Sequence, residues 1–213
     1  MSEFSNRRRM MVDTQVRPSD VTKFPIIAAM LAVPREEFVP PGLREAAYVG
    51  HNIDLGGNRV VLEARSLAKL LDILDITAAD RVLDLGCGMG YSAAVIAEMG
   101  ARVVAVEEDA TMAASAATLL QGKAQVVAGA IAAGAAAEGP YDVIVLDGAI
   151  EVLPPLIAAQ LQDGGRIGAI FMSGALGTAR IGHKLDGKIS WRFAFNAAAP
   201  VLPGFERKMT FAL

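Results

Sequence analysis

The chain is poor in the residues that build most catalytic and metal sites. Its 213 residues include one cysteine, Cys87, and two histidines, His51 and His183. A lone cysteine excludes an internal disulfide and fits a reducing compartment. No Cys/His spacing suits a structural zinc, so no metal is expected. Cys87 has no histidine near it in sequence and reads as a small filler of a tight loop rather than a nucleophile. Twenty basic and 23 acidic residues leave a net charge of −3, which gives no electrostatic reason to expect nucleic acid or an anionic membrane as a partner. The longest apolar-looking run, residues 128–139, is short and broken by glycine, so it is no membrane span. The basic run at residues 7–9 is not followed by an apolar stretch, which excludes a secretory signal; a solvated tail is expected there. Repeats and low-complexity linkers are absent, and a cytoplasmic location is the expectation.

What is present is a rhythm. Residues 18–33 read as a helix with Ser19 or Asp20 as cap, perturbed or broken near Pro25. A turn-rich stretch follows, punctuated by Pro34, Pro40, Pro41, Gly56 and Gly57. Leu67, Leu70, Leu71 and Leu74 then recur at helical spacing. From Arg81 onward short apolar runs alternate with helical segments: "RVLDL", "RVVAVE", "AQVVAG", "YDVIVLD" and "RIGAIFM" are five strands. Asp109 caps one intervening helix, Gly122 lies past its end, and the alanine-rich residues 128–139 supply another. Strands without in/out alternation, separated by helices, specify a parallel sheet covered on both faces. Near the end, two strands flank Asp186 and Gly187, a hairpin turn pair, and residues 207–213 supply a last strand. Trp191 and Phe193 alternate on one of these strands, which points to packing on one side.

The first strand-to-helix turn of an open parallel sheet is where ligands bind, and here it is "DLGCGMGY". Its glycines, Gly86, Gly88 and Gly90, are spaced G-x-G-x-G rather than G-x-G-x-x-G, and Asp84 precedes them. A carboxylate beside a pyrophosphate would be repelled. Beside the ammonium and sulfonium of S-adenosylmethionine it would be attracted, so that cofactor suits the loop. Glu107, with Glu108 next to it, ends the second strand 21 residues after Gly86, where an acid accepts from both ribose hydroxyls. The adenine side falls at Gly129 and Ala130, where no acid stands. Asp147, ending the fourth strand, either faces the methyl donor or caps the loop that follows.

With these residues in place, the chain resembles the protein-L-isoaspartate O-methyltransferases along nearly its whole length. "AAMLAVPREEFVP" is similar to that family's Pro-Arg-x-x-Phe-Val turn, and "AYVGHNIDL" to its Tyr-x-Asp-x-x-Leu stretch. "VLDLGCGMGYSAAVIAEM" is similar to its cofactor loop, including Cys87 and Tyr91, and "LPPLIAAQLQDGGRIG" to its Pro-x-x-Leu and Gly-Gly-Arg segment. The resemblance implies an α/β, three-layer Rossmann-like methyltransferase fold. Its mostly parallel seven-stranded sheet would have an antiparallel C-terminal strand and an N-terminal helical extension. Residues 1–62 would form the extension and 63–213 the S-adenosylmethionine-binding domain. It implies a cytoplasmic enzyme that methylates the free carboxylate of isoaspartyl residues in damaged proteins. The family's Thr-Ile-Ser-x-Pro segment corresponds to residues 60–64, with Leu62 at the serine position and Ala64 at the proline. A different protein or small-molecule acceptor, or a non-catalytic cofactor-binding relative, therefore stand as alternatives.

A carboxylate acceptor is already ionised at neutral pH and needs no general base. The scarcity of histidine fits such an acceptor. A phenol or alcohol would need a base, for which His51, in the segment able to fold over the cofactor, is the candidate, and His183 is expected to be exposed. The acceptor-side candidates are thus Leu62, His51 and Asp147. Arg59, Glu63 and Arg65 flank a helix start and could contact an acceptor, although charged residues at such a place are usually solvated.

Overall fold

Residues 3–207 are described by the computed structural model. Five strands, β3 (Arg81–Leu85), β4 (Arg102–Glu107), β5 (Gln125–Ala128), β6 (Tyr141–Ile150) and β7 (Leu161–Ser173), lie parallel. Each is joined to the next by a crossover too long for a hairpin, which is what parallel pairing requires. Two antiparallel strands, β8 (Leu176–Leu185) and β9 (Lys188–Asn196), extend one edge, giving the order β5-β4-β3-β6-β7-β8-β9. The β8–β9 turn holds Asp186 and Gly187 at φ 50° and 74°, the positive-φ pair that suits a right-twisted hairpin. The strand expected over residues 207–213 lies, Arg207 apart, outside the described residues.

Alternate residues of each strand feed opposite cores. Val82, Val103, Ala105, Val143 and Val145 face a core shared with α3 (Ala64–Leu74), α4 (Tyr91–Glu98) and the N-terminal segment. Leu83, Leu85, Val104, Val106, Ile144 and Leu146 face a second core, closed by α6 (Pro155–Gln160) and the C-terminal residues Leu202 and Phe205. The helix α5 (Ala110–Leu120) starts at Asp109, whose side chain accepts from the amides of Thr111 and Met112 at 2.9 Å each.

Three local expectations are corrected. Residues 7–9 are no solvated tail but part of α1 (Glu3–Met11), which runs on through a π-turn to bury Met11, Val12 and Val16. Arg7 there pairs with Glu3 and Glu45, and Arg8 pairs with the buried Glu36, so the charges are used in folding the extension. Pro25 does not break a helix; it sits in the first turn of α2 (Phe24–Ala32), where its missing N–H costs nothing, and Ser19 and Asp20 end the turn before. The alanine-rich segment forms only two 3₁₀ turns, Ile131–Ala133 and Ala136–Glu138. Gly129, Gly134 and Gly139 leave four residues between breaks, too few to repay helix nucleation. The expected joint packing of Trp191 and Phe193 also fails. The two do share a face, opposite Gly182 and Arg180, but Phe193 is 64% exposed there; the register shift after it sends Phe195 to the other face, where it is buried in the first core. Trp191 packs edge-on against Phe171, with ring centroids 4.7 Å apart.

Candidate active site

Strand parity assembles the site. Asp84 follows Val82, Glu107 follows Ala105 and Asp147 follows Val145 on the same face, so three parallel strands deliver three carboxylates to one side of the glycine loop. All three are buried. Gly86, Gly88 and Gly90 carry φ of 76°, 56° and 94°, a backbone only glycine adopts without strain. The turn brings the Gly88 amide to Glu107 and starts α4 at Tyr91.

Asp84 and Asp147 share one hydroxyl. Ser92 Oγ lies 2.6 Å from Asp84 Oδ2 and also contacts Asp147 Oδ2. One O–H can donate to only one carboxylate at a time, so the two acids compete for it, and a proton on one of them relieves the conflict. Burial pushes the Asp84 carboxyl up to about 7, against the Ser92 bond that lowers it; the charge of Glu107 adds to the rise. Burial, and then Asp84, push Asp147 well above its ordinary range. The second oxygen of each acid, Oδ1, is buried without a partner. Orphaned acceptors of this kind mark a place for a donor, and a cation most of all. Burial likewise raises the Cys87 thiol well above its usual value, with the acids reinforcing it, so Cys87 stays neutral in the loop.

Glu107 is the opposite case. Arg59 Nε lies 3.1 and 3.0 Å from its two oxygens, the Gly88 amide donates to Oε2 and the Asp109 amide to Oε1, both at 2.9 Å. Arg59 is only 2% exposed, so the expectation of a solvated charge is overturned. It comes from the hairpin of β1 (Ile53–Gly56) and β2 (Arg59–Val61), which folds over the loop. Leu55 of that hairpin fills the hollow at Gly88, where an added Cβ would meet Leu55 Cδ1 at 2.7 Å. From the other side, Pro200 and Leu202 bond the backbone of Ala149 at 2.8 Å each. They run beside β6 just beyond the end of β3, in the crevice where the strand order reverses. Leu202 there backs Gly86 and Gly148.

The remaining residues named from the sequence spread around this centre. Glu108 Oε1 stands 3.3 Å from Arg59 Nη2, and its Oε2 lies 3.5 Å from the Ile131 amide. Gly129 and Ala130 directly precede that amide, so a carboxylate from the neighbouring strand end does stand near the segment that carries no acid of its own. Tyr91 stacks on the buried Arg35 guanidinium, 4.6 Å from ring centre to carbon, with its hydroxyl unpartnered. Leu62 is buried and its carbonyl accepts from Arg35 Nη2 at 2.8 Å. With Val60, Val61, Leu67, Cys87 and Tyr91, it lines a tight cavity, too small to admit a water, that ends on Ser92 and Asp147. His51 is exposed, its ring 2.9 Å from the Asn52 carbonyl, and the three acids are not among its partners. His183 is exposed on β8. No group of three or more metal-ligating side chains occurs among the described residues. Nor is any helix among them long and apolar enough to cross a membrane.

Sequence reasoning missed Ser92, Leu55 and Leu202, and took Arg59 for a solvated charge. Ser92 was within reach, because a residue in the first turn of the helix after the loop faces the strand ends. The others join the site from far along the chain, Leu55 at Gly88, Arg59 at Glu107 and Leu202 at Gly86, and no local pattern announces their places.

The chain is similar to known proteins over most of its length. The family model for protein-L-isoaspartate(D-aspartate) O-methyltransferase matches residues 6–178. The chain is 32% identical over 171 residues to the protein-L-isoaspartate O-methyltransferase of Koribacter versatilis, covering 78% of this chain and 77% of that one. It is 35% identical over 164 residues to that of Methanoculleus marisnigri, covering 75% and 74%. A solved protein-L-isoaspartate O-methyltransferase superposes with a TM-score of 0.79 at 22% identity, over 94% of this chain and 66% of that one. A putative Plasmodium falciparum protein-L-isoaspartate O-methyltransferase, solved with S-adenosyl-L-homocysteine, superposes with a TM-score of 0.77 at 15% identity, over 95% and 99%.

Proposed function

The chain belongs to the protein-L-isoaspartate(D-aspartate) O-methyltransferase family, and from that membership we propose that it methylates the free carboxylate of isoaspartyl residues in proteins, with S-adenosylmethionine as donor. The observation that carries the reading is the Asp84–Ser92–Asp147 cluster, whose two orphaned carboxylate oxygens call for a cation beside a glycine loop. The α-ammonium of the donor supplies one, and a dinucleotide does not.

When bound, the donor supplies an electrophilic methyl on a sulfonium. Its transfer to an acceptor carboxylate would form the new O–C bond as the S–C bond breaks, the electron pair staying on sulfur as a neutral thioether. No proton moves, because the acceptor carboxylate is ionised already. The chain's work is therefore to align and to exclude water. Asp84 and Asp147 would hold the amino-acid end, Glu107 the ribose, and Glu108 with residues 129–131 the adenine. The wall formed by Val60, Val61 and Leu62 keeps the reacting pair dry, since all three side chains are buried.

That wall carries no side-chain hydroxyl where the family has serine, which favours, as a second reading, a more apolar carboxylic acid as acceptor. Labelled methyl transfer separates the two. An isoaspartyl peptide is expected to accept label as a base-labile ester while the matching aspartyl peptide does not. S-adenosylhomocysteine binding with no transfer to the isoaspartyl peptide would move the assignment to another acceptor.

A further inference from the structure

We propose that Arg59 gates the donor site and, once displaced, receives the carboxylate of the acceptor. The inference rests on the donor reading above and goes beyond it, because it makes one side chain serve both substrates in turn.

The first half follows from the occupancy of Glu107. Three N–H groups already crowd its two oxygens, at 2.9 to 3.1 Å: the Arg59 Nε–H is shared between both, the Gly88 amide takes one and the Asp109 amide the other, and the residue is fully buried. A ribose offering two hydroxyls must therefore replace existing donors. The amides of Gly88 and Asp109 are fixed, one by the glycine loop and one by the start of α5. The Arg59 guanidinium, on a flexible stem, is the donor able to leave. Its hairpin is built to move, with strands of four and three residues and an exposed tip at residues 56–58. The same hairpin puts Leu55 into the hollow at Gly88, so one displacement clears both obstructions. It is latched to the C-terminal segment through Asn52, whose Nδ2 donates to the Ala198 carbonyl at 2.8 Å. Pro200 and Leu202 follow directly in the crevice.

The second half follows from charge. Arg59 leaving Glu107 keeps Glu108, whose Oε1 is 3.3 Å away and whose side chain is 35% exposed. A guanidinium held in a closed site with one half-solvated partner favours a second anion. The acceptor brings one. Arg59 is also placed to meet it, since β2 leads straight into residues 60–62, the wall of the cavity that ends on Ser92 and Asp147. Arg35, the other fully buried arginine, holds the Ala47 and Leu62 carbonyls at 2.7 and 2.8 Å and so stitches the extension to this wall.

The two roles give opposite signs in one variant. Apparent affinity is the intrinsic affinity scaled by the open fraction, so removing the latch should tighten S-adenosylhomocysteine binding by about tenfold. Calorimetric titration of the full chain with S-adenosylhomocysteine is expected to show this for Arg59→Gln, and for Leu55→Ala, which empties the Gly88 hollow without touching a charge. Arg59→Gln is also expected to raise KM for an isoaspartyl peptide at saturating donor while leaving kcat nearly unchanged. Arg59→Lys, which keeps the charge but cannot span both oxygens, should tighten the product less and largely restore KM. Weaker or equal binding of S-adenosylhomocysteine by Arg59→Gln and Leu55→Ala, both folded by thermal melt, overturns the gate. Tighter binding with an unmoved peptide KM overturns the acceptor role. If neither wild type nor variants bind S-adenosylhomocysteine, the donor reading falls and the inference with it.

Discussion

Two acid sites flank one glycine loop, and they solve the burial of charge in opposite ways. Glu107 is matched by the chain itself, with an arginine and two backbone amides on its oxygens. Asp84 and Asp147 are left short, with one hydroxyl between them and an unpartnered oxygen on each. Both sites are closed to water, so exposure does not explain the difference. A satisfied buried ion pair holds the apo fold together, whereas an unsatisfied pair of acids stores affinity for a ligand that brings positive charge.

The comparison is broken most severely by Glu107→Ala. It leaves Arg59 buried and largely unpaired, and should cost about 3–5 kcal/mol of stability, measured by urea unfolding. The same change removes the ribose acceptor, so binding of S-adenosylhomocysteine should be lost even in the fraction that remains folded.

Asp84→Asn should do the reverse. The Asp84 carboxyl is held near 7 in the fold against an ordinary value of 3.8. The folded state thus keeps a proton that the unfolded chain gives up, and this group's stabilisation is complete below about pH 4. It fades as pH rises through 7, after which no further loss follows. Asp84→Asn removes that penalty and should stabilise the protein at pH 8 by up to about 4 kcal/mol. The gain should vanish at pH 4 to 5, while cofactor binding weakens at every pH. Thermal melts across pH 4 to 9 check it, and a variant no more stable than wild type at pH 8 would contradict a shared proton in the cluster.

Ser92→Ala sharpens the contrast from within, removing the only hydroxyl the two acids share. A loss of about 1–3 kcal/mol is expected, together with a steeper fall in stability between pH 5 and 8. Asp109→Ala is the smallest change. It strips the α5 cap without touching a carboxylate of the Asp84 cluster, and should cost about 1 kcal/mol, with S-adenosylhomocysteine affinity moved far less than by Glu107→Ala.

Legibility from the sequence follows the range of each interaction. The turn at Asp186 and Gly187, the cap at Asp109 and the positive-φ glycines of the loop are decided by residues within a few positions of each other. So is the parity that turns Asp84, Glu107 and Asp147 to one face. The alanine-rich segment misleads because composition favours a helix while glycine spacing denies it the length. Residues 7–9 mislead because the partners that order them, Glu36 and Glu45, stand in a different turn.

The sequence by itself determined the five-strand parallel rhythm, the glycine loop and the acids at the strand ends, because each is a matter of period and spacing along one stretch of chain. Only the tertiary structure decided which of those acids is satisfied. Arg59 reaches Glu107 across 48 positions, and Leu202 reaches Gly86 from the far end of the described chain. A buried charge is settled by whatever the fold brings against it, and that partner has no preferred distance in sequence.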